Sequence, residues 1–382
     1  MPDQSKPLSR EPEVEDLIKN FITPVGQGYD RNHSTHPVQL NASTHRVKIN
    51  GQVTRPIELS ISELRNEFAQ HEVVCALQCA GNRRHVMRTK IKEVDGVDWL
   101  EGAVMNCKWR GPLLADVLER AGVKIDQQDR GNAHVAFASC EVECDDAAWY
   151  GASIPLSRAL RRDAEVVLAL DMNDQPLSLG HGFPVRVVTP GIAGARSVKW
   201  SNQVTVQMQE SENHCQHFDD KVLPPEVTSM EQAKEVWETI PAVQEMPVNP
   251  VIAWPQSGSA VRRDADGTVS VAGYALPGGE DGPVVKVEVT ADGGKSWREA
   301  ELIAHPEESK WSWKLWQALT KNTHTWMIHS WGKVSTTEAL AQDRPCWTQG
   351  IPNLKATTQA PTHRELLQAR KQGRASFRDK KQ

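Results

Sequence analysis

Short apolar runs rich in β-branched residues dominate the first part of the chain. The stretches EVVCAL (72–77), HVAFAS (134–139), AEVVLAL (164–170) and FPVRVVTP (183–190) predict buried strands. Residues 112–122 (PLLADVLERAG) differ. Leu113, Leu114, Val117 and Leu118 recur at helical spacing and Gly122 follows them, which predicts a helix ending there. From about residue 251 the pattern becomes period-two. VSVAGYAL, VVKVEVTADGGKSWREAEL and SWKLW alternate apolar with polar positions. Turn signals at Asp266-Gly267, Asp281-Gly282 and Asp292-Gly293-Gly294 separate them. This predicts a β-sandwich of immunoglobulin-like size. Residues 211–250 are polar and proline-bearing, as a long connection would be.

The chain thus divides into four parts. Residues 1–28 read as an acidic, proline-containing lead, and 29–245 as an α+β domain with its linker. Residues 246–355 form the all-β domain and 356–382 a basic tail. The tail carries seven Lys/Arg against two acids, the composition of a solvated end or of a docking arm for an anionic partner. Seven of the 13 tryptophans fall between 297 and 347, so the β domain has an aromatic-rich core or interface.

Composition narrows the function classes. A length of 382 residues suits two or three domains. A net charge of -5 argues against nucleic acid as a partner, because a binding face needs a basic excess. No apolar run approaches the roughly 18 residues of a membrane span. The first twenty residues lack an apolar signal core and are too acidic for a mitochondrial presequence, so the cytoplasm is the expected location. Seven cysteines, an odd number, disfavour a disulfide framework. Most of them read as small buried hydrophobes.

Three motifs carry chemistry. In Leu77-Gln-Cys79-Ala-Gly81-Asn82-Arg83-Arg84 a cysteine follows a strand and two arginines follow it. Neighbouring cations favour the thiolate, a soft ligand, and guanidinium groups fork onto oxyanions. From chemistry alone this is a metal-bound thiolate, a redox thiol or a phosphate-handling nucleophile. Tyr29-Asp30-Arg31-Asn32-His33 is the second motif. The third is His181-Gly-Phe-Pro-Val-Arg186-Val-Val with Gly194-Ala-Arg196-Ser197-Val198-Lys199-Trp200. Both gather cations around glycine-rich backbone, as a phosphate-bearing cofactor site requires.

LQCAGNRR, the RNH segment, YGASIP at 150–155 and HGFPVRVV…GARSVKW occur together and in this order. In them the chain resembles the molybdopterin domain shared by sulfite oxidases and eukaryotic assimilatory nitrate reductases, from about residue 21 to 354. The resemblance implies an α+β molybdopterin-binding domain of sulfite oxidase-like fold, then an all-β immunoglobulin-like sandwich that forms a homodimer. It implies a molybdenum-molybdopterin cofactor with Cys79 as the protein ligand to the metal. Tyr29, Arg31, Asn32, His33, Glu141, His181, Arg186, Ser197, Val198 and Lys199 resemble the residues that hold the pterin and its phosphate. Arg31 and Arg84 resemble arginines of the oxyanion pocket, and Trp99 a tryptophan of its wall. The implied reaction is oxygen-atom transfer to a small oxyanion, sulfite to sulfate. A nitrate- or sulfoxide-type substrate and a non-catalytic scaffold are the alternatives.

Two positions depart from the sulfite oxidase pattern. Asp220 stands near a tyrosine position and Gln349 near an arginine position. A carboxylate gained and a cation lost weaken the attraction for a dianion. No segment has the size or histidines of a cytochrome b5 haem module, and there is no flavin or dinucleotide fingerprint. Electrons are therefore expected to leave to an external acceptor or to oxygen.

Overall fold

The computed structural model describes residues 8–34, 40–90, 94–140, 143–144, 147–256, 259–321 and 327–332. They form two compact units. One comprises the residues up to Pro12 with Ile22–Met246; the other comprises Glu13–Phe21 with the chain from Pro247.

The first unit carries a five-stranded sheet in the order Ile57–Ser60, Arg46–Gly51, Gln203–Gln207, His134–Ser139, Tyr150–Pro155. Only the pair 46–51 and 203–207 is parallel. A parallel pair needs a crossover, and here it contains the second sheet. That sheet orders Gln175–Pro176, Asp171–Met172, Val104–Pro112 and Gln70–Gln78, all antiparallel. Its long ladder runs from Gln70↔Pro112 to Gln78↔Val104, so its end delivers residue 79. Cys75 and Cys107 face each other in register, both buried and both free.

The predicted helix spans Leu114–Ala121. Leu114, Val117, Leu118 and Ala121 turn one face onto the core of Val47, Ile49, Phe137 and Val204. Gly122 ends it at φ +72, a backbone region that penalises a β-carbon. Val167–Ala169 pairs with Arg186–Val188, and all six residues are buried. These two strands are shorter than the apolar runs that predicted them.

The acidic lead is not an appendage. Ser9–Arg10 pairs with Asp30–Arg31, and the Arg10 guanidinium meets the Asp30 carboxylate at 2.7 Å. Glu11 accepts the backbone N–H groups of Leu100 and Gly102 at 3.1 and 2.8 Å. Its negative charge thus satisfies loop donors of the same unit.

The second unit packs a four-stranded antiparallel sheet, ordered Asn249–Trp254, Val269–Leu276, Lys314–Thr320, Glu301–Ile303, on a three-stranded one, ordered Arg298–Glu299, Val284–Thr290, Met327–Gly332. Val271, Ala275 and Trp316 of one meet Val284, Val287, Val289 and Ile328 of the other in a common core, which makes a sandwich. Trp311, Trp313 and Trp316 are at most 1% exposed. These tryptophans fill the unit's own interior, so the aromatic richness of the sequence does not by itself argue for an interface. The basic tail lies outside the described residues. No helix among them is long and apolar enough to cross a membrane.

Candidate active site

The site starts where the 70–78 strand ends. The Cys79 N–H donates to Ala103 O at 3.0 Å, continuing the ladder by one residue, and the Asn82 N–H closes a turn on Cys79 O at 2.9 Å. Arg83 then takes φ +67, and the helix Arg84–Lys90 begins. Gly81 has a steric reason. A β-carbon there would lie 2.4 Å from the Arg84 guanidinium carbon, and one on Gly96 would lie 2.8 Å from it. The guanidinium is thus set between two glycines, and it donates to Val97 O at 2.8 Å.

A cavity of about 670 Å³ opens at this point. It is lined by Tyr29, Arg31, Asn32, His33, Cys79, Arg84, Trp99, Arg186, Ser197, Lys199 and Asp220, which the sequence singled out from five separate stretches. His181 and Val198 lie behind this lining. Val198 is buried in the main core. Glu141 and Gln349 are outside the described residues.

The cations fall into two groups. Arg186 is 2% exposed and donates to the carbonyls of His181 (3.2 Å), Ser197 (2.9 Å) and Val187 (3.5 Å). Lys199 Nζ reaches Asn32 Oδ1 (2.5 Å), Gly180 O (2.7 Å) and Arg31 O (3.3 Å). Both line the cavity where the resemblance expects them, but their donors also have protein partners. Lys199 in full and Arg186 in large part bind protein oxygens, and so brace the 29–33 and 181–199 segments against each other. Ser197 Oγ likewise meets Thr189, accepting its backbone N–H at 3.1 Å. Arg31, which donates to Asn32 O (2.6 Å) and meets His33 Nδ1 at 3.1 Å, and Arg84 keep N–H donors for a ligand.

Burial and like charge shape the titrations. Burial, then Arg31, Lys199 and Arg84, hold His33 well below its ordinary value, consistent with an unprotonated Nδ1 beside Arg31. Burial, helped by Lys199, pushes His181 down to about 4, and its Nε2 meets Val25 O at 3.0 Å. Burial and Arg186 push Lys199 down to about 7, although its three oxygen partners favour the ammonium form. Burial and the Asp220 carboxylate raise the Cys79 thiol, against the Gly81 N–H, Arg84 and Arg31. A thiolate here therefore gains from a cation bound at sulfur.

Unpartnered atoms mark where a bound group fits. Asn82 Nδ2 and Trp99 Nε1 are buried at the cavity wall with no hydrogen-bond partner among the described residues, and His181 Nδ1 has none behind it. The two N–H donors, and the bare His181 Nδ1 acceptor left when Nε2 donates to Val25 O, each cost about 1–3 kcal/mol unless a ligand completes them. Gly194 adds a steric cradle, since a β-carbon there would meet the Tyr29 hydroxyl at 2.6 Å and Gln78 O at 3.0 Å. A pterin-dithiolene molybdenum group, with its many polar edges, fits these residues, and Cys79 is the side chain that would offer it a thiolate donor.

Two structural roles escaped the sequence. Arg196 is fully buried and donates to Val243 O (3.1 Å) and Cys215 O (3.3 Å), anchoring the far wall. The polar 211–250 connection is itself that wall, from Phe218 to Val243. Asp220 sits in it at φ +53, its carbonyl accepting the Val243 N–H at 2.9 Å. Lys221 donates to Trp237 O at 2.9 Å.

The model of the oxidoreductase molybdopterin binding domain matches residues 33–215, and that of the Mo-co oxidoreductase dimerisation domain matches residues 240–344. Sulfite oxidase of Arabidopsis thaliana is 34% identical over 375 residues, spanning 95% of this chain and 92% of that protein. The chain belongs to the sulfite oxidase family. The mitochondrial sulfite oxidase of Rattus norvegicus is 41% identical over 324 residues, but this chain spans only 56% of its length. The NADH nitrate reductase of Ulva prolifera is 33% identical over 319 residues, 36% of its own length. The crystal structure of the sulfane dehydrogenase SoxCD from Paracoccus pantotrophus superposes with a TM-score of 0.67 at 22% identity, covering 85% of this chain and 77% of that one, a likeness of fold.

Proposed function

We propose that this chain is a molybdenum-cofactor oxidoreductase that oxidises sulfite to sulfate. The observation that carries this is one cavity holding the Cys79 thiol together with the donor-bearing Arg31 and Arg84. When bound, the molybdenum group supplies the two-electron couple that oxygen-atom transfer requires. Arg31 and Arg84 bind and orient the anion through fixed N–H donors in a partly dry site. Trp99 closes the wall and excludes water. Arg186 and Lys199 hold the binding segments in register. Electrons leave to an external acceptor or to oxygen, and the chain pairs as a homodimer through the domain whose family model is named for dimerisation.

Lys199 makes cofactor binding pH-dependent. Its pKa is about 7 in the cofactor-free protein, and a phosphate-bearing anion nearby raises it. Affinity is then greatest below pH 7 and falls as pH rises from 7 towards the raised value, by up to about tenfold per unit. Reconstitution of apoprotein at pH 6 and pH 8.5 measures this. Lys199→Arg, which does not titrate there, should flatten the profile; a flat profile in the unsubstituted protein would contradict the coupling.

A nitrate- or sulfoxide-type substrate is the second reading, favoured by Asp220 on the cavity wall. A panel of sulfite, nitrate and sulfoxides separates the two. Tyrosine at position 220 would be strained at φ +53, whereas asparagine tolerates it. Asp220→Asn is expected to raise kcat/KM for sulfite about 5- to 30-fold by removing a like charge. Unchanged sulfite kinetics would mean the carboxylate does not face the anion.

A further inference from the structure

The cavity has two chemically different ends. Beside Cys79 it carries Arg31 and Arg84, while Phe218, Val222, Met230 and Trp237 line it along the 218–237 segment. Phe218, Val222 and Met230 are 41%, 60% and 53% exposed, so they stand where the cavity reaches solvent. They are three of the nine large exposed apolar side chains among the described residues, gathered at one opening. Scattered apolar residues need no explanation, but a cluster at the mouth of a polar site does. The segment is held in place, with Trp237 Nε1 donating to Phe218 O at 3.0 Å and Lys221 Nζ to Trp237 O at 2.9 Å.

Charge at the inner end also limits the ligand. Lys199 and Arg186 spend their N–H donors mainly on protein oxygens, so Arg31 and Arg84 offer the donors left for an anion's head, while Asp219 and Asp220 line the same cavity. The carboxylates of Asp219 and Asp220 oppose each negative charge brought to Arg31 and Arg84, which favours a ligand carrying one charge on its head over one carrying two.

We propose that the site takes organic sulfinates, with the sulfinate head on Arg31 and Arg84 beside Cys79 and the hydrocarbon substituent along Phe218, Val222, Met230 and Trp237. This rests on the molybdenum oxidoreductase reading above. The sulfinate sulfur gains one S–O bond: RSO2⁻ + H2O → RSO3⁻ + 2H⁺ + 2e⁻. The oxygen comes from water, the protons go to solvent, and two equivalents of an external one-electron acceptor such as ferricyanide take the electrons; the molybdenum group would supply the two-electron couple when bound. The apolar wall replaces water around the substituent, so each added methylene should strengthen binding about threefold until the chain emerges from the cavity.

The test uses purified holoenzyme and alkanesulfonates from methane- to hexanesulfonate, which are product analogues that do not turn over, with sulfate as reference. Calorimetry should give affinities that rise with chain length, with hexanesulfonate at least about 30-fold tighter than sulfate. Val222→Ser and Met230→Ser change exposed side chains and should fold. Each should weaken hexanesulfonate several-fold more than sulfate. Hexanesulfinate should then drive ferricyanide reduction with hexanesulfonate as product. Affinity independent of chain length, insensitivity to both substitutions, or chain-length-dependent binding without sulfinate turnover would each overturn the proposal. If sulfite were still oxidised in any of these cases, the molybdenum reading would stand; if neither sulfite nor sulfinate were oxidised, both would fall.

Discussion

Cys79→Ser is expected to leave the protein folded and to lower sulfite-dependent electron transfer by on the order of 100-fold or more. The fold should survive because residue 79 is held through its backbone, by the Cys79 N–H to Ala103 O and the Asn82 N–H to Cys79 O. A serine keeps both bonds and loses only a half-buried sulfur, so the stability change should stay within about 1 kcal/mol. The loss of activity has a different origin. A hydroxyl is a hard, weakly acidic donor, whereas the proposed metal needs a soft thiolate. Thermal unfolding and turnover measured on the same preparation separate the two effects. Normal turnover by the serine variant would remove Cys79 from the metal.

Arg186→Met should deplete the protein of molybdenum and also destabilise the cofactor-free form. The guanidinium is buried and holds the carbonyls of His181 and Ser197. Removing it leaves buried acceptors unsatisfied, at about 1–3 kcal/mol each. Part of that is offset, because burial has already pushed Arg186 down to about 10, a sign that its charge is costly there. A net loss of about 1–3 kcal/mol in denaturant unfolding of the apoprotein is therefore expected. A residue that acted only by touching the cofactor would behave otherwise: molybdenum would be lost while apoprotein stability stayed level or rose. The apoprotein measurement is thus the one that distinguishes a brace from a direct ligand.

Much of this was legible from local pattern. The runs around Val73–Leu77 and Val135–Ala138 became strands because short β-branched segments have no amphipathic alternative. Leu114 to Ala121 became a helix because its apolar positions share one face. Cys79 and Arg84 could be read as one site, being adjacent at a strand end. Arg31, Lys199 and the rest joined them through the family resemblance, since nothing in the spacing of residues 31, 79 and 199 encodes their proximity. What stayed hidden depends on tertiary context. Residues 218–243 have no apolar period, yet they wall the cavity because Arg196 and backbone bonds hold them there. The lead was read by its acidity, whereas Glu11 carries that charge to satisfy two loop N–H groups. Composition marks Arg186 and Lys199 as cations near an anion site, but not that they also brace the 29–33 and 181–199 segments through protein oxygens.

The most direct test of the account is a single-turnover experiment on purified, metal-quantified protein mixed anaerobically with sulfite and no added acceptor. The account predicts close to one sulfate formed per molybdenum, with bleaching of the metal-thiolate absorption, and neither in Cys79→Ser. Molybdenum-loaded protein that forms no sulfate and keeps its spectrum would contradict it.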